Sequence, residues 1–178
     1  MTGRLRRRET ESGQALVEMA IVLPLLLLVL TGIMQFGVLL SGQIALVNGV
    51  RQAARYGSVL QTASPGAATT AGGQVGAQLE VVLSSGMPGY QNARLTDWSV
   101  CYESYENPGS SPQSYSVRLT VSATYKHALF VPIIAQIIDG IDGSFDDGFT
   151  LHASELFRVE NPPLPTNVIS PATCVNKP

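Results

Sequence analysis

The sequence lacks the motifs by which common enzyme classes are recognised. It contains no G-x-S-x-G nucleophile elbow, no Walker phosphate-binding loop and no H-E-x-x-H zinc motif. Its only two histidines, His127 and His152, belong to no Cys, His and Glu cluster at metal-ligand spacing. Both lie in predicted strand edges, where a histidine more often faces solvent or caps a turn. We therefore expect no enzymatic activity, no bound metal and no cofactor.

Charge is also scarce and unevenly placed. The 178 residues include 11 Lys and Arg and 13 Asp and Glu, but four arginines lie within the first eight positions. Without its first 13 residues, which hold four arginines and two glutamates, the chain has seven basic and eleven acidic groups. A nucleic-acid-binding surface needs clustered basic residues that displace counterions. The acidic excess therefore argues against nucleic acid as a partner.

No charged residue occurs between Glu18 and Arg51, and Met19 to Leu40 is a run of 22 largely aliphatic residues. As a helix it would be about 33 Å long, enough for a hydrocarbon core of about 30 Å. A buried core helix would show a polar face, and a secretory signal peptide has an apolar region of about 7–15 residues. We predict a membrane span over 19–40. The preceding arginines favour a cytoplasmic N-terminus and an extracytoplasmic body.

The junction before this span combines Gly13, Gln14 and Glu18. A carboxylate within the bilayer costs about 2.5–3.5 kcal/mol even on permissive insertion scales, so it usually has a partner. Cleavage after Gly13 would give Gln14 a free α-amino group, one helical turn from Glu18 or close to it on a neighbouring subunit. The alternative is that Glu18 only marks the cytoplasmic interface, where water solvates it. Position alone leaves both open.

These features resemble the type IV prepilins, and more narrowly the TadE-like pilins and pseudopilins of tight-adherence (Tad) secretion systems. The resemblance rests on the basic leader, Gly13, Glu18 and the unbroken apolar helix. The Ala- and Arg-rich stretch 48–57 and the block 115–160 add to it. It covers most of 13–60 and 115–160, whereas 61–114 and 161–178 match nothing specific.

The resemblance implies a structural subunit that prepilin peptidase cleaves between Gly13 and Gln14. Its partners would be the membrane, other pilin or pseudopilin subunits and the Tad assembly platform, with Glu18 setting the register between subunits. The expected location is the cell (inner) membrane, with incorporation into an extracellular filament after assembly. In the family that this chain resembles, the major pilins are very short and mostly helical. The larger body of this chain therefore favours a minor pilin or pseudopilin. The alternative is an uncleaved single-pass adaptor or binding module of a secretion system.

The remaining patterns predict an α+β, pilin-like fold, in which a long N-terminal helix packs on a small antiparallel sheet. The helix is expected over about 14–60, and a short second helix over 74–83. Segments 94–102, 115–125 and 149–159 are rich in β-branched and aromatic residues and predict three strands. The expected organisation is a leader (1–13), the N-terminal helix (14–62), an extracytoplasmic domain (63–160) and a Pro-rich tail (161–178).

Two further features concern ligands and crosslinks. Cys101 and Cys174 would both lie outside the cytoplasm, where an even count favours a disulfide over two free thiols. The acidic run 139–147 invites a calcium interpretation. However, Asp147 occupies the loop position of the invariant glycine, and Ala153 that of the bidentate glutamate. A solvated Gly/Asp turn is the better interpretation.

Overall fold

The computed structural model describes residues 5–62, 64–109, 114–130, 140, 148–160, 169 and 172–178, with side chains from residue 13 onward. Two sequence features lie outside these residues. One is the apolar stretch 131–138, which the sequence suggested as a short helix or covering loop. The other is nearly all of the acidic run considered for calcium.

The chain has an α+β fold, which confirms the predicted class. Two helices and a short 3-10 turn precede the first strand, and the remaining elements described are strands. In chain order the elements are α1 (Leu5–Ser58), α2 (Pro65–Gly86), the 3-10 turn (Asn92–Arg94), β1 (Leu95–Glu106), β2 (Tyr115–Ala128), β3 (Gly148–Arg158) and β4 (Thr173–Asn176).

The chain divides into two compact units. The N-terminal unit comprises Met1–Val38 and Leu129–Asp146, and the sheet unit comprises Leu39–Ala128 and Asp147–Pro178. In the N-terminal unit, α1 has large apolar side chains exposed on every side, among them Leu16, Ile21 and Met34 at 70% or more. This helix is long and apolar enough to cross a membrane, and its most apolar stretch is not buried. It fits a membrane-anchored protein.

The sheet unit is built on four antiparallel strands in the order β3-β2-β1-β4. Along β2 the side chains alternate, because successive residues of a strand point to opposite faces. Val117, Leu119, Val121, Ala123 and Tyr125 are buried on the inner face, as the sequence alternation predicted. The sheet therefore has one covered face and one polar face.

Both helices cover the inner face of the sheet. The α1 stripe that the sequence identified is buried, with Leu46, Val50 and Ala53 fully covered. On α2, Val75, Leu79 and Leu83 are likewise inaccessible. These residues join the inner strand residues in one apolar core, which is the main source of stability for the unit.

The second helix is longer than the sequence predicted. It begins at Pro65, where we expected only a turn that ends α1. The Ser64 hydroxyl accepts a hydrogen bond from the Ala67 backbone N–H, and Pro65 occupies the first helical position. Serine as N-cap followed by proline is a favourable helix start, since the proline N–H has no helical partner to lose.

A fourth strand lies within the segment that the sequence indicated as a Pro-rich tail. β4 pairs with β1 over four residues and places Cys174 opposite Cys101. The two cysteines form a disulfide bond, as expected from their even number and predicted compartment. Val175 points to the covered face and packs against the core. The Lys177 ammonium donates to the backbone oxygens of Asn92 and Leu95, which ties the chain down beyond the strand.

Gly76 of α2 lies directly against the ring of Trp98 on β1. A Cβ atom at this position would come within 2.0 Å of the indole, which is far inside van der Waals contact. The indole N–H also donates to the Glu80 carboxylate at 3.0 Å, so the ring is held on both sides. Glycine is therefore required for the close packing of α2 on β1.

Gly76→Ala is expected to lower the free energy of unfolding by up to about 2 kcal/mol. The overpacking cost of about 1–3 kcal/mol outweighs the helix-propensity gain of alanine, about 1 kcal/mol. The matched control is Gly73→Ala in the same helix, where nothing lies within 4 Å of the added atom. It should stabilise by about 0.5–1 kcal/mol. Urea unfolding of the full chain in detergent, followed by circular dichroism, measures both. Equal effects of the two substitutions would contradict this packing argument.

Candidate functional site

The candidate cleavage site lies within a continuous helix rather than in an extended segment. α1 begins at Leu5, nine residues before the predicted start at Gln14. Gly13 is exposed, and a Cβ atom there would meet nothing within 4 Å. No packing requirement of the described residues therefore explains a glycine at this position.

Glu18 lies one helical turn after Gln14. The Gln14 side-chain amide donates a hydrogen bond to Glu18 Oε1 at 3.2 Å, and both residues are exposed. The carboxylate thus has a neutral hydrogen-bond partner within the uncleaved chain. The α-nitrogen of Gln14 is on the same turn, so a charge created there would be close to the same carboxylate.

Two polar side chains of the apolar segment, Thr31 and Gln35, make hydrogen bonds to backbone groups. The Thr31 hydroxyl donates to the carbonyl oxygens of Leu27 and Leu28, one turn earlier. Gln35 is 3% exposed, and its side-chain oxygen accepts a hydrogen bond from the backbone N–H of Phe130 at 2.9 Å. The sequence showed Gln35 as an interruption of the aliphatic run but gave no indication of its partner.

In the sheet unit, polar contacts fix α1 to the strands. Gln43 donates to the carbonyl oxygen of His152 at 3.1 Å, and Arg51 pairs with Glu155 at 2.6 Å. The buried Tyr102 hydroxyl donates to the carbonyl oxygen of Gly57 at 3.1 Å. Burial raises the pKa of Tyr102, so that its hydroxyl remains a neutral donor. The last turns of α1 are therefore held in one position on the sheet.

The two histidines differ from the sequence expectation and from each other. His152 is exposed and lies 3.2 Å from the Thr124 hydroxyl, as expected for a strand residue facing solvent. His127 is 3% exposed, so the expectation of a solvent-facing side chain is wrong there. Its ring packs against Gly42 of α1, where an added Cβ would lie 2.6 Å from the imidazole. The inner-face alternation of β2 continues to His127 and was the signal for its burial.

Two stacked tyrosines, Tyr90 and Tyr125, lie at the end of the sheet beside the 3-10 turn. Tyr90 stacks on Tyr125 with ring centroids 5.6 Å apart, and the Tyr125 hydroxyl accepts from the Gln91 backbone N–H. Burial, with smaller contributions from the Glu80 carboxylate and Tyr125, raises the pKa of Tyr90 to about 12. Tyr90 is therefore an uncharged packing element at neutral pH.

The polar face of the sheet carries the disulfide. Cys174 is exposed and Cys101 half-buried, and the Ser99 hydroxyl lies 3.4 Å from the sulfur of Cys101. Within the part of the chain that the structure describes, no group of three or more His, Cys, Asp or Glu side chains could hold a metal ion. The features of these residues that invite a function are the junction at 13–18 and the exposed apolar helix.

Comparison with known protein families gives a match on this segment. Residues 13–55 match the model of the TadE-like protein family. The match begins at Gly13 and runs through the exposed part of α1 into the part that packs on the sheet. Neither the comparison with curated proteins nor that with solved structures found a match. The TadE-like segment supports a component related to the Tad pilus.

Proposed function

We propose that this chain, with its TadE-like N-terminal segment, is a minor pilin or pseudopilin of a Tad-type pilus or secretion apparatus. Its role is structural rather than catalytic. A prepilin peptidase removes the leader after Gly13, and the mature subunit is assembled through its apolar N-terminal helix. Before assembly the subunit resides in the inner membrane, with the arginines on the cytoplasmic side and the sheet unit outside.

The observation that carries this proposal is the contrast along α1. Up to Val38 its large apolar side chains are exposed, whereas from Leu39 onward one face is buried against the sheet unit. A helix with apolar residues on all sides is stable in lipid or among equivalent helices. It can leave the bilayer only when neighbouring subunits replace the lipid. An exposed apolar helix attached to a separately packed body therefore suits a subunit that passes from membrane to filament.

The junction supports the processing step. Gly13 has no packing role among the described residues, so recognition by a peptidase accounts for a small residue there. Cleavage would convert the neutral contact between Gln14 and Glu18 into one that includes a positive α-amino group. A carboxylate that enters the apolar core of a filament is then compensated by charge, either within the subunit or on its neighbour.

Glu18→Ala is expected to leave cleavage intact but to reduce assembled filaments strongly. The substitution removes the charge that pairs with the new amino terminus, whereas the residues around Gly13 stay unchanged. Glu18→Gln keeps the size of the side chain and removes its charge, so it should assemble as poorly as Glu18→Ala. The measurements are N-terminal analysis of membrane-bound protein and quantification of sheared surface filaments. Normal filament yield from Glu18→Gln would rule out the charge-pairing role.

One observation favours the second candidate, an uncleaved single-pass adaptor of a secretion system. Glu18 already has a hydrogen-bond partner in the uncleaved chain, so its presence does not by itself require a free amino terminus. The N-terminus of protein recovered from membranes separates the two candidates. A chain that begins at Gln14 supports the pilin, and one that retains Arg4 to Arg8 supports the adaptor.

A further inference from the structure

The connection that follows β2 makes a specific contact with the apolar part of α1. The backbone N–H of Phe130 donates to Gln35 Oε1 at 2.9 Å. Gln35 is nearly inaccessible, whereas the Phe130 side chain is 64% exposed. Thr31, Met34, Val38 and Phe130 line a shallow apolar groove beside Gln35. All these residues belong to the N-terminal unit.

The depth of this contact follows from helix geometry. Gln35 lies five residues before Leu40, the C-terminal end of the predicted span. At 1.5 Å per residue, that places Gln35 about 7.5 Å inside the apolar segment. Interfacial apolar groups reach about 5–10 Å into the boundary of headgroups and acyl chains. Phe130 therefore lies at the depth of the acyl chains when α1 spans a membrane.

A non-helical backbone at this depth needs its polar groups satisfied. An unpaired N–H or side-chain amide in hydrocarbon costs several kilocalories per mole. The hydrogen bond between Phe130 and Gln35 satisfies one donor of the connection and one acceptor of the helix together. This pairing explains why an amide is present in an otherwise aliphatic run and why an irregular segment can approach the span there.

The residues around Phe130 indicate that lipid covers its exposed side chain. Ile33, Met34 and Phe36 are each more than half exposed beside this contact and belong to the span itself. The sequence carries no Asp, Glu, Lys or Arg from His127 to Ile138. An aqueous surface would leave Phe130 and its apolar neighbours in water, whereas the acyl chains already surround the rest of the span.

We propose that Phe130 inserts into the extracytoplasmic leaflet and forms a second membrane contact, with Gln35 as the polar group that holds it there. Lipid acyl chains occupy the groove and cover the exposed face of Phe130. The contact fixes the start of the connection after β2 to the membrane surface. It depends on the span of α1 but not on leader cleavage or on filament assembly.

The test is quenching of a tryptophan introduced in place of Phe130 by lipids with brominated acyl chains. The full uncleaved chain is reconstituted in phosphatidylcholine vesicles, without peptidase or other pilus components. The parent chain has a single tryptophan, the buried Trp98, which supplies the baseline. Phe130→Trp should add a fluorescence component to that of Trp98. Bromines near the headgroup end of the acyl chains should quench this added component about two-fold more strongly than they quench Trp98. Tyr105→Trp is the control, because Tyr105 has a similar aromatic, partly exposed side chain on β1.

A second pair of variants isolates Gln35. Gln35→Leu in the Phe130→Trp chain should abolish the added quenching, since the backbone N–H would then lose the acceptor that Gln35 supplies. Gln43→Leu is the matched control: this glutamine of α1 also bonds a backbone group, but on β3, and its loss should leave the quenching unchanged. Quenching that survives Gln35→Leu would overturn the role of Gln35.

Two results with the Phe130→Trp chain would overturn the insertion itself. One is an added emission component that lipid bromines quench no more than the component added by Tyr105→Trp. The other is an introduced indole that emits at the wavelength of a buried residue and yet resists lipid quenching. That second result would show protein, rather than lipid, as the occupant of the groove.

Discussion

A Gly13→Leu chain is expected to accumulate in the membrane with its leader attached. If a prepilin peptidase recognises Gly13 as proposed, the substitution should abolish cleavage rather than slow it slightly, because leucine adds a branched side chain directly before the bond to be cut. Insertion should be unaffected, since the span begins six residues later and the arginines remain. Intact-mass analysis of purified membrane protein would show a chain that retains residues 1–13. The parent, expressed with its prepilin peptidase, would begin at Gln14.

Gly13→Leu tests recognition of the cleavage site separately from effects on packing. The space around Gly13 is open, so leucine there disturbs no packing of the described residues. Gly37→Leu is the matched control, because Gly37 lies in the same helix with equally open surroundings. It should be inserted and processed normally. Cleavage of the Gly13→Leu chain after its position 13 would contradict the pilin proposal, even if the membrane anchor remained intact.

Removal of the disulfide should cost the sheet unit about 2–4 kcal/mol of unfolding free energy. The bond joins Cys101 and Cys174, which are 73 positions apart, so it restricts a long loop of the unfolded chain. The Cys101→Ala, Cys174→Ala double variant should unfold at lower urea concentration than the oxidised parent. Trp98 reports this transition, because it is the single tryptophan of the chain and is buried in the core.

Two comparisons control for effects other than crosslinking. The parent treated with a reductant should move to the unfolding midpoint of the double variant. Each single alanine variant should match the double variant, because either substitution removes the bond. A reduced parent as stable as the oxidised one would show that the pairing of β4 and the Lys177 contacts hold this edge without the crosslink.

The sequence predicted the parts of the fold that repeat a simple period. The α1 stripe at Leu46, Val50 and Ala53 follows the helical period, and its burial was predicted correctly. The alternation along β2 likewise gave its buried face. In each case the same side-chain pattern determines both the local element and the surface that it buries.

The first half of α2 was missed because its residues pack without large apolar side chains. Ala68, Ala71 and Gly72 are buried on its inner face, and the Gly72 backbone lies against Val175. Small residues of this kind allow close contact, but they give a weak hydrophobic period in the sequence. The Ser64–Pro65 pair was the better signal, because it is a cap as well as a turn.

β4 and the Phe130 contact could not be read from local sequence, because both depend on distant residues. Four residues are too few to establish an alternating pattern, and the partners of β4 lie in β1. The predicted bridge to Cys101 was the one sequence signal that placed this segment beside the sheet. Gln35 stood out as polar, but only the fold supplies Phe130 as its partner, 95 positions away.

The strand order sets the order in which the strands of the sheet pair during folding. β1 and β2 are adjacent in the chain and can pair early, whereas β4 is separated from its β1 partner by more than 70 positions. Contacts between distant segments form late, because closing the intervening loop costs entropy first. Until β4 pairs, the edge of β1 has unpaired backbone groups, and Val175 does not yet pack against Gly72 of α2. The crosslink between Cys101 and Cys174 is thus expected to close late, because it joins β1 to the strand whose partner lies farthest along the chain.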